Sequence, residues 1–334
     1  MATVLDPYLT RLSDSLMLSD LLGCDSVYRH GIPNNLKDNE QDKLSEGMFL
    51  AELMDSLQDD YGPYSVCYGY ISPRLSSRVV KYQDPDKPSY HRWDDGAALD
   101  ACFHEWVQKE KHRGAPIYLA HLIDEDYDYS RMITYSESPW ICLATKITEG
   151  DSGRPRKAFY ENRYTGVSKE KPKFIQKSKV LMKRAEDGKK IVLPHGWKGQ
   201  GWPSYHGGGR EQYEHIRINT YMMLSDLLYD RNKVARGIPN PPPEDGSDDA
   251  WHLKAAADVV GNIVDAIGSR VSIVQGYCPD TWSDGFKISV IPPVSISADD
   301  LVDILYEDDL VDTVGVIRKG KGFDRVKIYG VKDV

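Results

Sequence analysis

His91 and Asp100 stand close together in the segment Ser89-Tyr-His-Arg-Trp-Asp-Asp-Gly-Ala-Ala-Leu-Asp100. An imidazole and a carboxylate are residue types that hold zinc. The Gly and Ala residues between them let backbones pack closely. Further along, past a segment that reads as helical over about 101–123, Tyr129-Ser-Arg-Met-Ile-Thr-Tyr-Ser-Glu-Ser-Pro-Trp-Ile-Cys142 reads as two strands, the second presenting Cys142. A thiolate is also a good zinc ligand. Each residue has a plainer reading. His91 suits a hydrogen-bonded loop, Asp100 suits the cap of a helix beginning near Ala101, and Cys142 suits a small buried hydrophobe.

The elements that must position these residues occur twice. Met17-Leu-Ser-Asp-Leu-Leu22 recurs as Met223-Leu-Ser-Asp-Leu-Leu228, and Gly31-Ile-Pro-Asn34 recurs as Gly237-Ile-Pro-Asn240. An amphipathic helical stretch follows, 43–58 in the first copy and 251–267 in the second. A β-like segment comes next, Ser65-Val-Cys-Tyr-Gly-Tyr70 against Ser272-Ile-Val-Gln-Gly-Tyr277. Matched blocks in one order at nearly constant spacing read as a tandem duplication. In the Gly-Ile-Pro-Asn element, proline fixes φ, glycine permits a turn and asparagine suits a cap. Helices followed by strands imply an α+β fold with a small, mostly antiparallel sheet in each copy. The expected division is 1–150, a 151–211 linker or lid, and 212–334.

The first copy resembles the zinc peptidases related to D-Ala-D-Ala carboxypeptidases and to the hedgehog signalling domain. In that family a G-Y-R-S-P-like strand and turn precedes an S-x-H…G-x-A-x-D motif, then a helix, then a strand with a second His. The counterparts here are Gly69-Tyr-Ile-Ser-Pro73, Ser89-Tyr-His91 with Gly96-Ala-Ala-Leu-Asp100, and Pro139-Trp-Ile-Cys142. The resemblance covers about 15–146 and, weakly, 220–330. It implies that His91, Asp100 and Cys142 occupy the three zinc-ligand positions, with Cys in place of the second His. The His91–Asp100 spacing is two residues longer than the common form, with Asp94-Asp95 as the insertion. The resemblance also implies a carboxylate base, for which Glu137 comes first and Asp95 or Asp94 next. His104, His112 and His121 are further candidates as ligands or proton carriers, His112 in a polar run that suits the surface. The implied activity is metal-dependent hydrolysis of a peptide or amide, with peptidoglycan stem peptides as the family's usual substrate and a virus-encoded (bacteriophage, virion-associated) setting. The competing class is a non-catalytic binding or structural module on the same fold.

The second copy serves as an internal comparison. It passes from Gly276-Tyr-Cys-Pro279 to Asp284-Gly-Phe-Lys-Ile-Ser289 in a few residues, so the stretch carrying His91 reads as deleted. Ser289 stands for Asp100 and Lys327, roughly, for Cys142. This copy is expected to lack metal and to pack on the first.

Charge separates the middle from both ends. Residues 154–198 hold fourteen Lys/Arg and four acids, a net +10 in a chain of net −9. His195–Arg210 follows, rich in glycine, with Trp197, Trp202 and Tyr205. Basic residues interleaved with aromatics suit nucleic acid through 154–210, and a basic strap pairing with acidic bodies suits them too. At 40% hydrophobic and 28% charged the chain is not disordered. No apolar run nears the roughly 20 residues of a membrane span. Five scattered cysteines and no visible secretory signal point to the cytoplasm.

Overall fold

Residues that recur at three- and four-residue spacing make the long helices. In α3 (Gln41–Tyr61; α1 and α2 precede it) the buried positions are Gly47, Leu50, Ala51, Met54, Leu57, Gln58 and Tyr61, one stripe facing the core. The computed structural model describes residues 5–7, 9–37, 39–79, 90–94, 96–104, 115–135, 140–146, 159–163, 167–170, 218–244, 247–279, 281–282, 285–318 and 323–330. The first half contains α1 (Leu18–Leu22), α2 (Asp25–His30), α3, β1 (Tyr64–Tyr68), α4 (Pro73–Val79), a 3-10 turn at Tyr90–Arg92, β2 (Ala97–Phe103), α5 (Ala115–Asp126), β3 (Arg131–Tyr135) and β4 (Ile141–Thr145). The strands β5 (Phe159–Arg163) and β6 (Val167–Glu170) come next. The second half contains α6 (Leu224–Leu227), α7 (Arg231–Arg236), α8 (Asp248–Ile267), β7 (Ser272–Gln275), β8 (Lys287–Ile291), α9 (Ala298–Leu305), β9 (Val311–Ile317) and β10 (Arg325–Gly330).

The architecture is mixed helix and sheet. One sheet runs β1-β2-β4-β3-β5-β6 and the other β7-β8-β10-β9. The first four strands of the larger sheet are mutually antiparallel, as are all four of the smaller, in the same spatial order. β5 runs parallel to β3 and pairs with β6, so the first sheet extends into the stretch expected to be linker. One expectation is corrected. Residues 101–103 are not helical but the end of β2, whose seven residues are all buried; His104 and Ala115–Asp126 are helical, and 105–114 lie outside the described residues. Ala97-Ala-Leu-Asp-Ala-Cys-Phe103 is a short apolar run, and such a run does not distinguish buried strand from buried helix.

Asn34 and Asn240 differ from their expected use as caps. Asn34 Nδ2 donates to the carbonyls of Leu22 and Tyr70, at 2.9 and 2.6 Å. Asn240 Nδ2 donates to those of Leu228 and Tyr277, at 2.8 and 2.9 Å. Each buried amide therefore ties the end of a helix to the chain leaving a strand, and each such bond contributes about 1 kcal/mol. The two Gly-Ile-Pro-Asn turns meet. Gly31 and Gly237 have φ of 59° and 65°, and a Cβ on either would lie 2.6 Å from the other's carbonyl oxygen. Only glycine fits both the left-handed backbone and that approach.

The halves also exchange hydrogen bonds across their junction. Asp20 Oδ2 accepts from Met17 N within its own helix start and from Ser272 Oγ of the second half, at 2.8 and 2.6 Å. Asp226 Oδ2 accepts from Met223 N and from Ser65 Oγ of the first half, at 2.8 and 2.5 Å. The charge partner is not duplicated. Arg270 Nη2 lies 3.3 Å from Asp20 Oδ1. Both aspartates border a narrow pocket of about 40 Å³ between the halves, with Ser19, Ser65, Ser225 and Arg270. Burial pushes Asp226 up to about 6, with the Ser65 and Met223 hydrogen bonds and Arg270 only partly offsetting it and Asp20 adding to it.

That shift has a definite sign. A carboxyl raised in the fold contributes stability that is present below its unfolded value of about 4 and is lost as pH rises through about 6. Between pH 5 and pH 7.5 the wild type should therefore lose stability relative to Asp226→Asn by on the order of 1–2 kcal/mol, less than the full shift implies because pH 5 already lies above the unfolded value. Urea titrations of both proteins at the two pH values measure it; an unchanged difference would contradict this account of Asp226.

Candidate metal centre

Three elements bring the candidate ligands together. Asp100 sits in the middle of β2 and Cys142 in β4, directly paired in register. Antiparallel pairing puts both side chains on one face of the sheet. Ala97, Leu99, Ala101 and Phe103 alternate with them towards the main core, while Ala98, Ile133, Cys142 and Ala144 form a separate buried cluster on the ligand face. His91 arrives from the 3-10 turn ahead of β2. One nitrogen, oxygen or sulfur atom from each of His91, Asp100 and Cys142 lies within 4.8 Å of the other two. His91 Nε2 is 3.6 Å from Asp100 Oδ1 and 3.7 Å from Cys142 Sγ.

The histidine is held in the orientation a ligand needs. Its Nδ1 lies 3.0 Å from the Gly69 carbonyl oxygen. A carbonyl only accepts, so Nδ1 carries the proton, and Nε2 faces Asp100 and Cys142 with its lone pair once deprotonated. The His91 carbonyl accepts from Ile71 N at 2.7 Å, which fixes the turn from the other side. Trp93 follows with φ of 55°, the single non-glycine residue of positive φ among the described residues. Backbone strain of this kind persists only where surroundings enforce it. Here the indole is buried, meets Tyr70 edge-on at 5.2 Å between centroids, and covers Gly47 of α3.

Asp100 is 6% exposed, and its buried Oδ1 lies 3.6 Å from His91 Nε2 without a hydrogen bond. A buried carboxylate oxygen without a donor is costly, and a cation between it, the imidazole and the thiol would satisfy it. Burial lowers the His91 pKa, but the nearby Asp100 carboxylate and the Gly69 carbonyl outweigh it, against the opposing charge of Arg131. The net direction is upward.

The other expected residues are distributed differently. Asp94 is drawn away into ion pairs with Lys43 at 3.2 Å and Arg92 at 2.8 Å. His104 is buried with Nε2 2.9 Å from Ser65 Oγ, and His121 is 3.3 Å from Glu125 on α5. Neither belongs to the cluster. Glu137, Asp95 and His112 lie outside the described residues, as does most of 154–210. All five cysteines are buried and none is in a disulfide.

The second half repeats the scaffold more fully than expected. Ser289 pairs with Lys327, as Asp100 pairs with Cys142. Trp282 meets Tyr277 at 5.1 Å, as Trp93 meets Tyr70, and Gly285 has φ of 114° where Gly96 has 97°. The turn itself is therefore retained: Trp282-Ser-Asp-Gly285 matches Trp93-Asp-Asp-Gly96, and the missing residues fall between Tyr277 and Trp282. The W-x-D-G repeat was visible in the sequence and was the signal overlooked.

Gly47 offers a test of how α3 supports the turn. A Cβ there would lie 2.3 Å from Trp93 Cζ3, in a fully packed region. Gly47→Ala should destabilise the fold by about 1–3 kcal/mol despite the better helix former, and should weaken metal binding by displacing His91. Urea denaturation and a zinc titration would detect both effects.

The scan against protein-family models and the searches of curated proteins and of solved structures each returned no match to this chain.

Proposed function

We propose that the first half is a zinc-binding hydrolase centre of the hedgehog and D-Ala-D-Ala carboxypeptidase kind, and that the second half is a tandem copy without ligands. The observation that carries this reading is the buried Asp100 Oδ1, 3.6 Å from an oriented imidazole nitrogen, grouped with that nitrogen and a thiol within 4.8 Å. His91, Asp100 and Cys142 would hold the ion, a donor set of imidazole, carboxylate and thiolate that suits zinc. Bound zinc would supply a Lewis acid and a more acidic water. The Gly69 carbonyl keeps the His91 proton on Nδ1, and the Ala98, Ile133 and Ala144 side chains keep that face apolar. Glu137 is assigned as the base that takes the water proton and returns it to the leaving amine. The substrate class is a peptide or amide, with peptidoglycan-type stems as the first to assay.

A structural metal site is the second reading, favoured by Cys142 itself. A carboxylate and a thiolate together cancel the charge of a divalent ion, and this makes bound water less acidic than it is beside neutral imidazoles.

The purified wild type should carry about one zinc per chain. His91→Ala, Asp100→Ala and Cys142→Ala should each lower zinc affinity by more than about 100-fold, beyond the loss of an outer partner, while Cys142→His keeps the metal. Glu137→Gln should retain zinc and lose hydrolysis of an acetylated D-Ala-D-Ala peptide. A zinc-free wild type overturns both readings; stoichiometric zinc with no hydrolysis leaves the structural one.

A further inference from the structure

The face of the second sheet that corresponds to the ligand face of the first carries cations instead. Ser289 pairs with Lys327, and Lys287 with Tyr329. Arg325, two positions before Lys327 on β10, lies on the same face. The residues paired with these from β7 and β9 are Gln275, Thr313, Gly315 and Ile317, none of them charged. On the opposite face Ile288, Val290, Val326 and Ile328 are buried in the core. In a chain with 51 acids against 42 basic residues, a sheet face with three cations and no acid runs against the composition.

This face is also more open than its counterpart. Lys287 is exposed, and Lys327 and Tyr329 are partly so, whereas Asp100, Cys142 and Ala144 are buried. Neither lysine forms an ion pair among the described residues. Between them Ser289, 2% exposed, holds a hydroxyl with no hydrogen-bond partner. Arg325 and Lys327 are about 7 Å apart along the strand, a separation suited to successive phosphates of an extended strand. Tyr329 adds a flat ring at the end of this row, and stacking on an aromatic face is how single-stranded nucleic acid is bound without sequence preference.

We propose that the β8–β10 face of the second half binds single-stranded nucleic acid. Lys287, Arg325 and Lys327 neutralise phosphates, and Tyr329 stacks on a base. The site is independent of any metal in the first half. It is also separate from the basic 154–198 stretch, which would add affinity without defining the face.

The test is fluorescence anisotropy of labelled (dT)15 with the full chain over a range of KCl concentrations. Binding should weaken with salt. Lys287→Glu with Lys327→Glu should reduce affinity at least about 10-fold and flatten the salt slope by about 1.4, two contacts at about 0.7 each. Tyr329→Ala should weaken binding several-fold and leave that slope unchanged. Zinc content and circular dichroism matching the wild type show that the variants fold. Neutralising the lysines of 169–190 should leave binding that still depends on Lys287 and Lys327. No binding of (dT)15, wild-type binding by the folded sheet variants, or equal competition by polyglutamate would each overturn the proposal.

Discussion

The backbone from Gly69 to Ser72 has to satisfy its polar groups away from water, and that requirement organises the first half. Tyr70 N donates to the Leu21 carbonyl, and its own carbonyl accepts from Asn34. Ile71 N donates to the His91 carbonyl, Ser72 N donates to Asn34 Oδ1, and the Gly69 carbonyl accepts from the His91 ring. Four residues thus join the first helix, the Gly-Ile-Pro-Asn turn and the candidate metal centre. A Cβ at Gly69 would lie 2.7 Å from Leu21 Cα, so the close approach that closes this network depends on glycine. An unpaired buried backbone group costs on the order of 1–3 kcal/mol, and a loosened segment here would cost several such bonds together.

Much of this plan was legible in the sequence because it uses residues with few substitutes. Gly31, Pro33 and Asn34 recur as Gly237, Pro239 and Asn240, and the twin blocks announce a repeated arrangement before any geometry is known. The pairing of Ser289 with Lys327 also follows from aligning the copies. Less accessible were features that depend on distant partners. Asn34 looks like a local cap, yet it bonds to Leu22 and Tyr70. Ala97–Phe103 lacks the alternation of a half-exposed strand because both its faces are buried. The addition of β5 beside β3 rests on parallel pairing, which leaves no turn signal in the chain.

The candidate centre combines two demands that pull in different directions. A deeply buried Asp100 needs a compensating cation or proton, and the thiol of Cys142 increases the negative charge available once it ionises. With a neutral His91 the cluster then balances a divalent ion in charge, which favours retention of the ion over acidification of its water. The precision of the histidine, with both its ring and its carbonyl fixed, is a property of the scaffold and not of the thiol. Its counterpart turn at Trp282 keeps the same indole and glycine, so the packing of these two residues has a use apart from metal, whereas the positive φ of Trp93 is not repeated there.

The reciprocal bonds between Asp20 and Ser272 and between Asp226 and Ser65 have a consequence for how freely the second half can vary. Ser65 belongs to β1, whose neighbour β2 carries Asp100. The second half therefore completes the hydrogen bonding of the sheet that carries the candidate centre. Changes at Ser289 or Lys327 leave that support intact, whereas changes at Asp226 reach the other half directly. With Ser289 and Lys327 at the paired positions, the second half still supports the sheet that holds Asp100 and Cys142, much as an arch that frames no door still carries the wall.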